Sequence, residues 1–231
     1  MDDKKHGHGE YREAAGGSYV GEWEDDDYHG EGKYMYAIEP ITGVRRVYQG
    51  SYVKGRREGH GSMIYNPHMQ YVGEWKAGKE NGKGLLRWEN GDMFEGLFFE
   101  GHRVAGRLVC VDGNVYEGEW LDDKKHGQGR EVYPNGARYV GTFLYSKRHG
   151  SGMTTNADGS IYDGEYVSGE RYGYGRSIRA DGSGYEGMYV RDMRHGQGCE
   201  YGPGHVLLWQ GMWHEGGRTY DVAEETSRLT L

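Results

Sequence analysis

A unit of about 23 residues recurs along this chain, and that period restricts the fold more than any other feature. Tyr71-Val72-Gly73-Glu74-Trp75 is followed by Asn81-Gly82-Lys83-Gly84, and Tyr116-Glu117-Gly118-Glu119-Trp120 by His126-Gly127-Gln128-Gly129. Tyr139-Val140-Gly141 leads to His149-Gly150-Ser151-Gly152, and Tyr162-Asp163-Gly164-Glu165-Tyr166 to Tyr172-Gly173-Tyr174-Gly175. The leading aromatics are Tyr19, Tyr48, Tyr71, Phe94, Tyr116, Tyr139, Tyr162, Tyr185 and Trp209, mostly 23 residues apart. Self-similarity at this period defines an array in which each unit stacks on the next and buries a shared core. Arrays of this kind usually present binding surfaces rather than catalytic pockets.

Each unit reads as two strands. In Tyr116 to Trp120 the odd positions are aromatic or Gly and the even ones charged, the period of a half-buried strand. Leu121-Asp122-Asp123-Lys124-Lys125 is polar and reads as a loop. In the second strand Gly127, Gly129, Glu131 and Tyr133 alternate with His126, Gln128, Arg130 and Val132. Pro134-Asn135-Gly136 closes the unit, and Asn-Gly predicts a type I′ hairpin turn with positive φ at both central residues. Asn90-Gly91, Asp112-Gly113, Asp158-Gly159 and Asp181-Gly182 hold the same place. The result is an all-β antiparallel meander.

Glycine is normally costly within strands, yet here it recurs at set positions. Gly118 shares a face with Tyr116 and Trp120, and Gly127 and Gly129 are expected on that face of the partner strand. The missing side chains leave room for rings to lie flat across the neighbouring strand. A single sheet thereby gains a core without a second layer, each buried ring contributing on the order of 2–3 kcal/mol. Nine units at two strands each predict a twisted sheet about 85 Å long.

Composition is consistent with this. Only 35% of the residues are hydrophobic, but 21 Tyr and 6 Trp stand against 4 Phe, with 43 Gly and 4 Pro. Regular spacing and abundant aromatics argue against the disorder that low hydrophobicity alone would suggest. A net charge of -8 disfavours a nucleic-acid binder. No apolar run approaches the roughly 18 residues of a membrane span, and the N-terminus has no signal-peptide core. Cys110 and Cys199 lie in distant units, which favours a reducing cytoplasm over a disulfide framework.

The pattern Tyr-x-Gly-x-Trp followed by His-Gly-x-Gly resembles the MORN repeat, over roughly residues 2 to 217. The resemblance implies an elongated, twisted, single-layer sheet of hairpins with an aromatic groove on one face. It also implies a cytoplasmic, cytoskeleton-associated scaffold or adaptor. Relatives of that type occur in protozoan-parasite cytoskeletons, flagellar radial spokes, myosin adaptors and junctophilins. In some enzymes, lipid kinases and a lysine methyltransferase among them, the motif is an appendage; no catalytic segment of that kind is recognisable here. The organisation is a partial repeat and connection over 1–18, nine repeats over 19–217 with the last truncated, and a tail or capping helix over 218–231. Three places depart from the pattern. Phe94-Glu95-Gly96-Leu97-Phe98 is followed by Ala105-Gly106-Arg107-Leu108, which lacks the second Gly. The connection from Ala37 to Val47 is enlarged. The ninth unit stops at Gly216-Gly217.

Asp2-Asp3-Lys4-Lys5-His6-Gly7-His8-Gly9 nearly repeats Asp122 to Gly129, so the chain begins halfway through a unit. Either further repeats precede Met1 or the half-unit is an open edge near Gly7 to Arg12. Such an edge pairs with other chains and predicts homotypic association. Asp221-Val222-Ala223-Glu224 has the form of a capping box, with Val222, Thr226 and Leu229 on one helical face; a frayed tail is the alternative.

The expected partner-binding groove comprises Trp23, Tyr52, Trp75, Phe98, Trp120, Phe143, Tyr166, Tyr189 and Trp213, since Tyr and Trp offer flat area with a polar tip. The alternative is that these rings form only the core. Arg45, Arg46, Lys54, Arg56 and Arg57 are candidate contacts for acidic lipid headgroups, against the alternative of a solvated rim beside Glu58 and Asp25-Asp26-Asp27. His6, His29, His126, His149 and His195 share one motif position about 10 Å apart, too far to share a metal within the chain. Zinc between His195 and Cys199, or between His6 and His8 across a dimer, is a minor alternative. No cofactor and no catalytic constellation is expected, because each Gly-x-Gly leads into a strand and not into the helix a phosphate loop needs. Expected partners are a second copy of the chain and cytoskeletal or axonemal proteins, with an acidic membrane surface as the alternative.

Overall fold

The computed structural model describes residues 4–219. The capping-box segment from Asp221 to Leu229 lies outside the described residues, as do Asp2 and Asp3. The chain divides into two compact units, Met1–Asp123 and Lys124–Leu231.

The first unit holds β1 (Gly7–Arg12), β2 (Ser18–Glu24), β3 (Asp27–Met35), β4 (Val47–Val53) and β5 (Arg56–Asn66). It continues with β6 (Met69–Lys76), β7 (Lys79–Arg87), β8 (Met93–Phe99), β9 (His102–Val109) and β10 (Val115–Leu121). The second unit holds β11 (Lys124–Val132), β12 (Arg138–Leu144), β13 (Lys147–Thr155), β14 (Ile161–Val167) and β15 (Glu170–Ile178). It ends with β16 (Gly184–Val190), β17 (Met193–Gly202), a 3-10 turn (Pro203–His205), β18 (Val206–His214) and β19 (Gly217–Arg218). Within each unit consecutive strands pair antiparallel, so each is the meander expected of two strands per repeat.

Register explains the glycines. Gly61, Gly73, Gly84, Gly96 and Gly106 face one another on successive strands of the first unit. Gly141, Gly152, Gly164 and Gly175 do the same in the second. The Tyr71 ring lies across this tier. A Cβ on Gly73 would stand 2.5 Å from the Tyr71 hydroxyl and 2.5 Å from the Gly84 Cα, and one on Gly84 would strike the same ring. The hydroxyl then donates to the Glu74 carbonyl at 2.9 Å. Tyr19, Tyr116, Tyr139 and Tyr162 make the same bond to the carbonyl three residues on.

The structure corrects the local expectations in two ways. The first glycine of each His-Gly-x-Gly does not pave the ring face. Gly30, Gly127, Gly150, Gly173 and Gly196 all have φ between 55 and 65°, and the ladder slips there, for example between Gly141 and Phe143 opposite β13. This glycine makes a bulge, which needs a left-handed residue; only the second glycine lies beneath the ring. The turn types are also exchanged. The segment Leu121 to Lys125 is not a loop but a two-residue turn, with Asp122 at φ 48° and Asp123 at φ 58°, matching a type I′ turn. At the Asn-Gly and Asp-Gly sites only Gly is left-handed, as at Gly91. There the Gly91 amide bonds to the Trp88 carbonyl and the Asp92 amide to the Asn90 side chain, at 3.0 and 3.1 Å. That is a type I turn closed by a left-handed Gly, in which the side-chain acceptor stabilises the bend.

Candidate binding surface

The rings expected to form a groove form the core of each unit. Trp23, Tyr52, Trp75, Phe98, Trp120, Phe143, Tyr166, Tyr189 and Trp213 are at most 7% exposed, and their leading partners Tyr19 to Tyr185 at most 3%. The two rows interlock edge to face. In the first unit Tyr48 meets Tyr52 and Trp75, Tyr71 meets Trp75 and Phe98, and Phe94 meets Phe98 and Trp120, at centroid distances of 5.1 to 5.6 Å. In the second, Tyr139, Tyr162 and Tyr185 repeat the zigzag through Phe143, Tyr166, Tyr189 and Trp213. Edge-to-face geometry suits the ring quadrupoles.

A row of cations covers this ladder. Arg57 stands 4.3 Å from the Trp75 ring, Arg103 4.1 Å from Trp120, Arg148 4.9 Å from Tyr139, Arg171 5.0 Å from Tyr189 and Arg194 4.7 Å from Trp213. Each guanidinium is also anchored by hydrogen bonds. Arg57 donates to the Gly78 carbonyl, and Arg103 to the Asp123 carboxylate and carbonyl at 2.9 and 2.8 Å. Arg148 donates to Tyr133 Oη at 2.9 Å and Thr154 Oγ1 at 3.1 Å. The cation–π term is larger where the cation is partly desolvated. Asp123 shows the coupling: burial pushes its carboxyl up, but the Arg103 hydrogen bonds and charge hold it below the ordinary range. A sequence signal for this row existed. The residue two before the bulge glycine is Lys5, Arg57, Lys125, Arg148, Arg171 or Arg194, with Tyr28 and Glu80 as exceptions. Tyr28 instead stacks on Tyr19 at 3.9 Å, and Glu80 accepts from the Tyr65 hydroxyl.

The structure separates the basic residues grouped as lipid contacts. Arg57 is half-buried in the aromatic ladder, while Arg45, Arg46, Lys54 and Arg56 are exposed. Arg45 and Arg46 lie in the long connection before β4, and Lys54 and Arg56 at the turn after it. Arg46 stands 4.8 Å from the Tyr36 ring. His29 Nδ1 is 2.9 Å from Glu24 Oε2. Among the described residues no three His, Cys, Asp or Glu side chains gather as a metal site, and no helix is long and apolar enough to cross a membrane.

Open depressions lie among the described residues. A trough of about 900 Å³ lies on the face opposite the rings of the first unit, lined by Val72, Leu85, Leu97 and Ala105 beside Glu95 and Arg107. It arises at the altered fourth repeat, where Leu97 takes an outward position that other repeats mostly give to polar residues. On the ring face, a pocket of about 500 Å³ is bordered by Trp88, Asp92 and Arg103. A third, of about 540 Å³, lies wholly in the second unit around Arg171, Arg179 and Arg194.

Interlocked rings over a glycine tier, repeated at the 23-residue period, define a class of single-sheet repeat proteins. The MORN-repeat family model matches residues 1–17, 19–38, 48–69, 71–93, 116–138, 139–161, 162–184 and 185–205. The chain belongs to the MORN-repeat family. The units led by Phe94 and Trp209 fall outside those matches, although both form paired strands. Among curated proteins the chain is similar to alsin from Rattus norvegicus, 31% identical over 48% of this chain and 7% of alsin. Human alsin is 30% identical over the same shares. MORN repeat-containing protein 3 from Xenopus laevis is 35% identical over 35% of this chain and 37% of that protein. The chain thus spans well under half the length of these relatives. Among solved structures, a mutant TCP10 domain of Danio rerio CPAP aligns over 89% of this chain and 99% of that domain, at 13% identity and a TM-score of 0.44. The SAS-4 TCP domain of Drosophila melanogaster, solved with a proline-rich motif of Ana2, gives 13% identity and 0.42, over 66% of this chain and 84% of that domain. Both likenesses are too low to carry a functional parallel.

Proposed function

We propose that this protein is a non-enzymatic, cytoplasmic scaffold that organises cytoskeletal or membrane-skeleton components through protein contacts and self-association. The observation that carries this reading is the repetition of one surface unit. Within each compact unit the same turn, and in most repeats the same cation, recur over the buried rings strand pair after strand pair, which offers partners spaced, similar positions. Membership in the MORN family supports it, as do the shallow depressions on both faces. Proximity labelling with a tagged chain, combined with detergent extraction, tests the reading. Enrichment of cytoskeletal proteins and retention in the insoluble fraction are expected; a diffuse, fully extractable protein that labels bulk cytosol would overturn it. Self-association is expected wherever β1, which pairs only with β2 among the described residues, keeps its second edge open to another strand. Light scattering that finds a strict monomer at high concentration removes that part.

A second reading, peripheral binding to acidic lipid, draws support from the exposure of Arg45, Arg46, Lys54 and Arg56. Flotation with anionic liposomes separates the two, because a polybasic contact loses binding steeply as salt rises.

A further inference from the structure

The internal repeat makes its own control experiment in the second unit. The residue that enters the turn between repeats stands 15 positions before the residue two before the bulge glycine, and in several repeats the two side chains meet. Tyr65 meets Glu80, Trp88 covers Arg103 at 5.2 Å, and the Tyr133 hydroxyl takes a hydrogen bond from Arg148 at 2.9 Å. In three repeats, then, an aromatic roof closes over the ladder's polar cover. Cys110 interrupts the series before Tyr133, and the two repeats after Tyr133 lack the ring as well. The turn-entering residues there are Asn156 and Arg179, with amides bonded to the carbonyls of Ser160 and Ser183 as in the other turns. Asn156 turns its amide to Ser160 Oγ at 2.8 Å, and Arg179 reaches Ser183 Oγ at 3.1 Å. Neither supplies a ring above Arg171 or Arg194.

The consequence is the cavity of about 540 Å³, lined by Arg171, Arg179 and Arg194, by Asp192, and by an apolar wall of Ile161, Ile178 and Met193. Three guanidiniums face one lining carboxylate. Asp192 is engaged by Arg171 at 3.0 Å, and Glu200 receives Arg194 at 2.9 Å and Arg218 at 2.5 Å. The Ser177 hydroxyl, held by the Tyr189 phenol at 2.9 Å, adds a polar group to the lining. Loss of the roof brings no gain to the sheet itself, since a ring is exchanged for an amide at Asn156 and for a further cation at Arg179. Arg171 and Arg194 already hold carboxylates, whereas Arg179 is bonded to the Ser183 hydroxyl and makes no ion pair among the described residues, so a ligand carboxylate would complete the set. The volume exceeds what a lone small anion fills, and the apolar wall offers nothing to a purely ionic group.

We propose that this pocket binds an acidic peptide segment, with a carboxylate set among Arg171, Arg179 and Arg194 and a neighbouring apolar side chain against Ile161, Ile178 and Met193. The inference deepens the scaffold reading by giving the chemistry of one partner. Arginine suits the role because its fork pairs with a carboxylate through two parallel hydrogen bonds.

The test is fluorescence anisotropy of a labelled peptide of alternating Glu and Leu on the full chain, with the Gln/Leu peptide as control. Saturable binding is expected, weaker by roughly tenfold or more for the Gln/Leu probe because the charge-assisted bonds are lost. Arg179→Tyr restores the ring found at Tyr133, so it is expected to keep or raise the Tm while abolishing binding; Arg179→Gln removes the charge alone and is expected to weaken it. No saturable binding, or binding indifferent to both substitutions, overturns the proposal. So does displacement by millimolar inorganic phosphate alone, or binding to phosphatidylserine vesicles in place of the peptide. Retention of Arg179→Tyr with the cytoskeletal fraction while the probe is lost supports the pocket as one site among several on a scaffold. A wild-type chain that is retained but binds no probe removes the pocket and leaves the scaffold reading standing. A chain that binds the probe but extracts fully removes the scaffold reading and leaves the pocket.

Discussion

Glycine at a strand centre is a weakness unless something occupies the space of its absent side chain, and in this protein that occupant is a ring. Gly84 and Gly159 separate the two uses of the residue. A Cβ at Gly84 meets the Tyr71 ring and cannot be accommodated without moving the core, so Gly84→Ala is expected to cost about 3 kcal/mol, the upper range of overpacking. At Gly159 a Cβ meets nothing within 4 Å, but φ is 85°, so Gly159→Ala carries only the left-handed strain of about 1 kcal/mol. Urea denaturation of both variants checks the contrast, and equal losses would show that the ring does not need the glycine tier. The second glycine's role was readable from the alternation of Tyr, Gly and Trp. The first glycine's was not, because a bulge consumes an extra residue and shifts the period of two. Nothing in the letters of His126-Gly127-Gln128-Gly129 shows where that slip occurs.

Hairpins carry the next level of organisation, and they differ in how well their residues suit their turns. A type I′ turn wants Asn-Gly, yet Ala77 sits at φ 50° ahead of Gly78 at φ 85°. The Ala77 side chain is exposed, and its amide already donates to the Glu58 carboxylate at 2.9 Å. Ala77→Asn is therefore expected to stabilise the β6–β7 hairpin by about 1 kcal/mol, by relieving left-handed strain without touching that bond. Thermal and urea unfolding would register the gain; a loss would mean that the turn is not left-handed at residue 77. The meander itself and the strand pairs were legible in the 23-residue period. The two turn types were exchanged in reading because Asn-Gly also fits a type I turn closed by a left-handed Gly, and only the backbone distinguishes them. The cation row was missed for a related reason. Lys125, Arg148 and Arg194 stand beside His in each motif, and a charged residue near a turn reads as solvated rim until the bulge places it over the next ring.

For the molecule as a whole, the buried tyrosines couple stability to alkaline pH. Burial is the largest cause lifting the phenols of Tyr19 and Tyr185, each to about 12, with Glu22 adding for Tyr19. Burial likewise raises Tyr48, Tyr71, Tyr139 and Tyr162. In the unfolded chain all of these titrate near 10. Below that pH both states keep their protons, and the phenols leave stability independent of pH. Above it the unfolded chain loses protons that the folded one retains, so stability falls as pH rises through the window from near 10 to about 12 and beyond for the more strongly raised groups. Because the same ring recurs at each repeat, the slope should exceed that of a single proton. Tyr71→Phe isolates one contribution, since Phe94 already fills the equivalent site and shows that a phenyl ring packs there. At neutral pH the variant is expected to lose about 1 kcal/mol with the hydroxyl bond to the Glu74 carbonyl. Between pH 10 and 12 its stability should fall less steeply than that of the parent chain, by up to one proton, so that the neutral-pH deficit closes and the two curves cross toward the alkaline end. Urea midpoints against pH, read with tyrosinate absorbance, measure both quantities. Parallel curves for parent and variant across that window would mean that Tyr71 ionises alike in the folded and unfolded chains, and that burial in this single sheet does not reach its phenol.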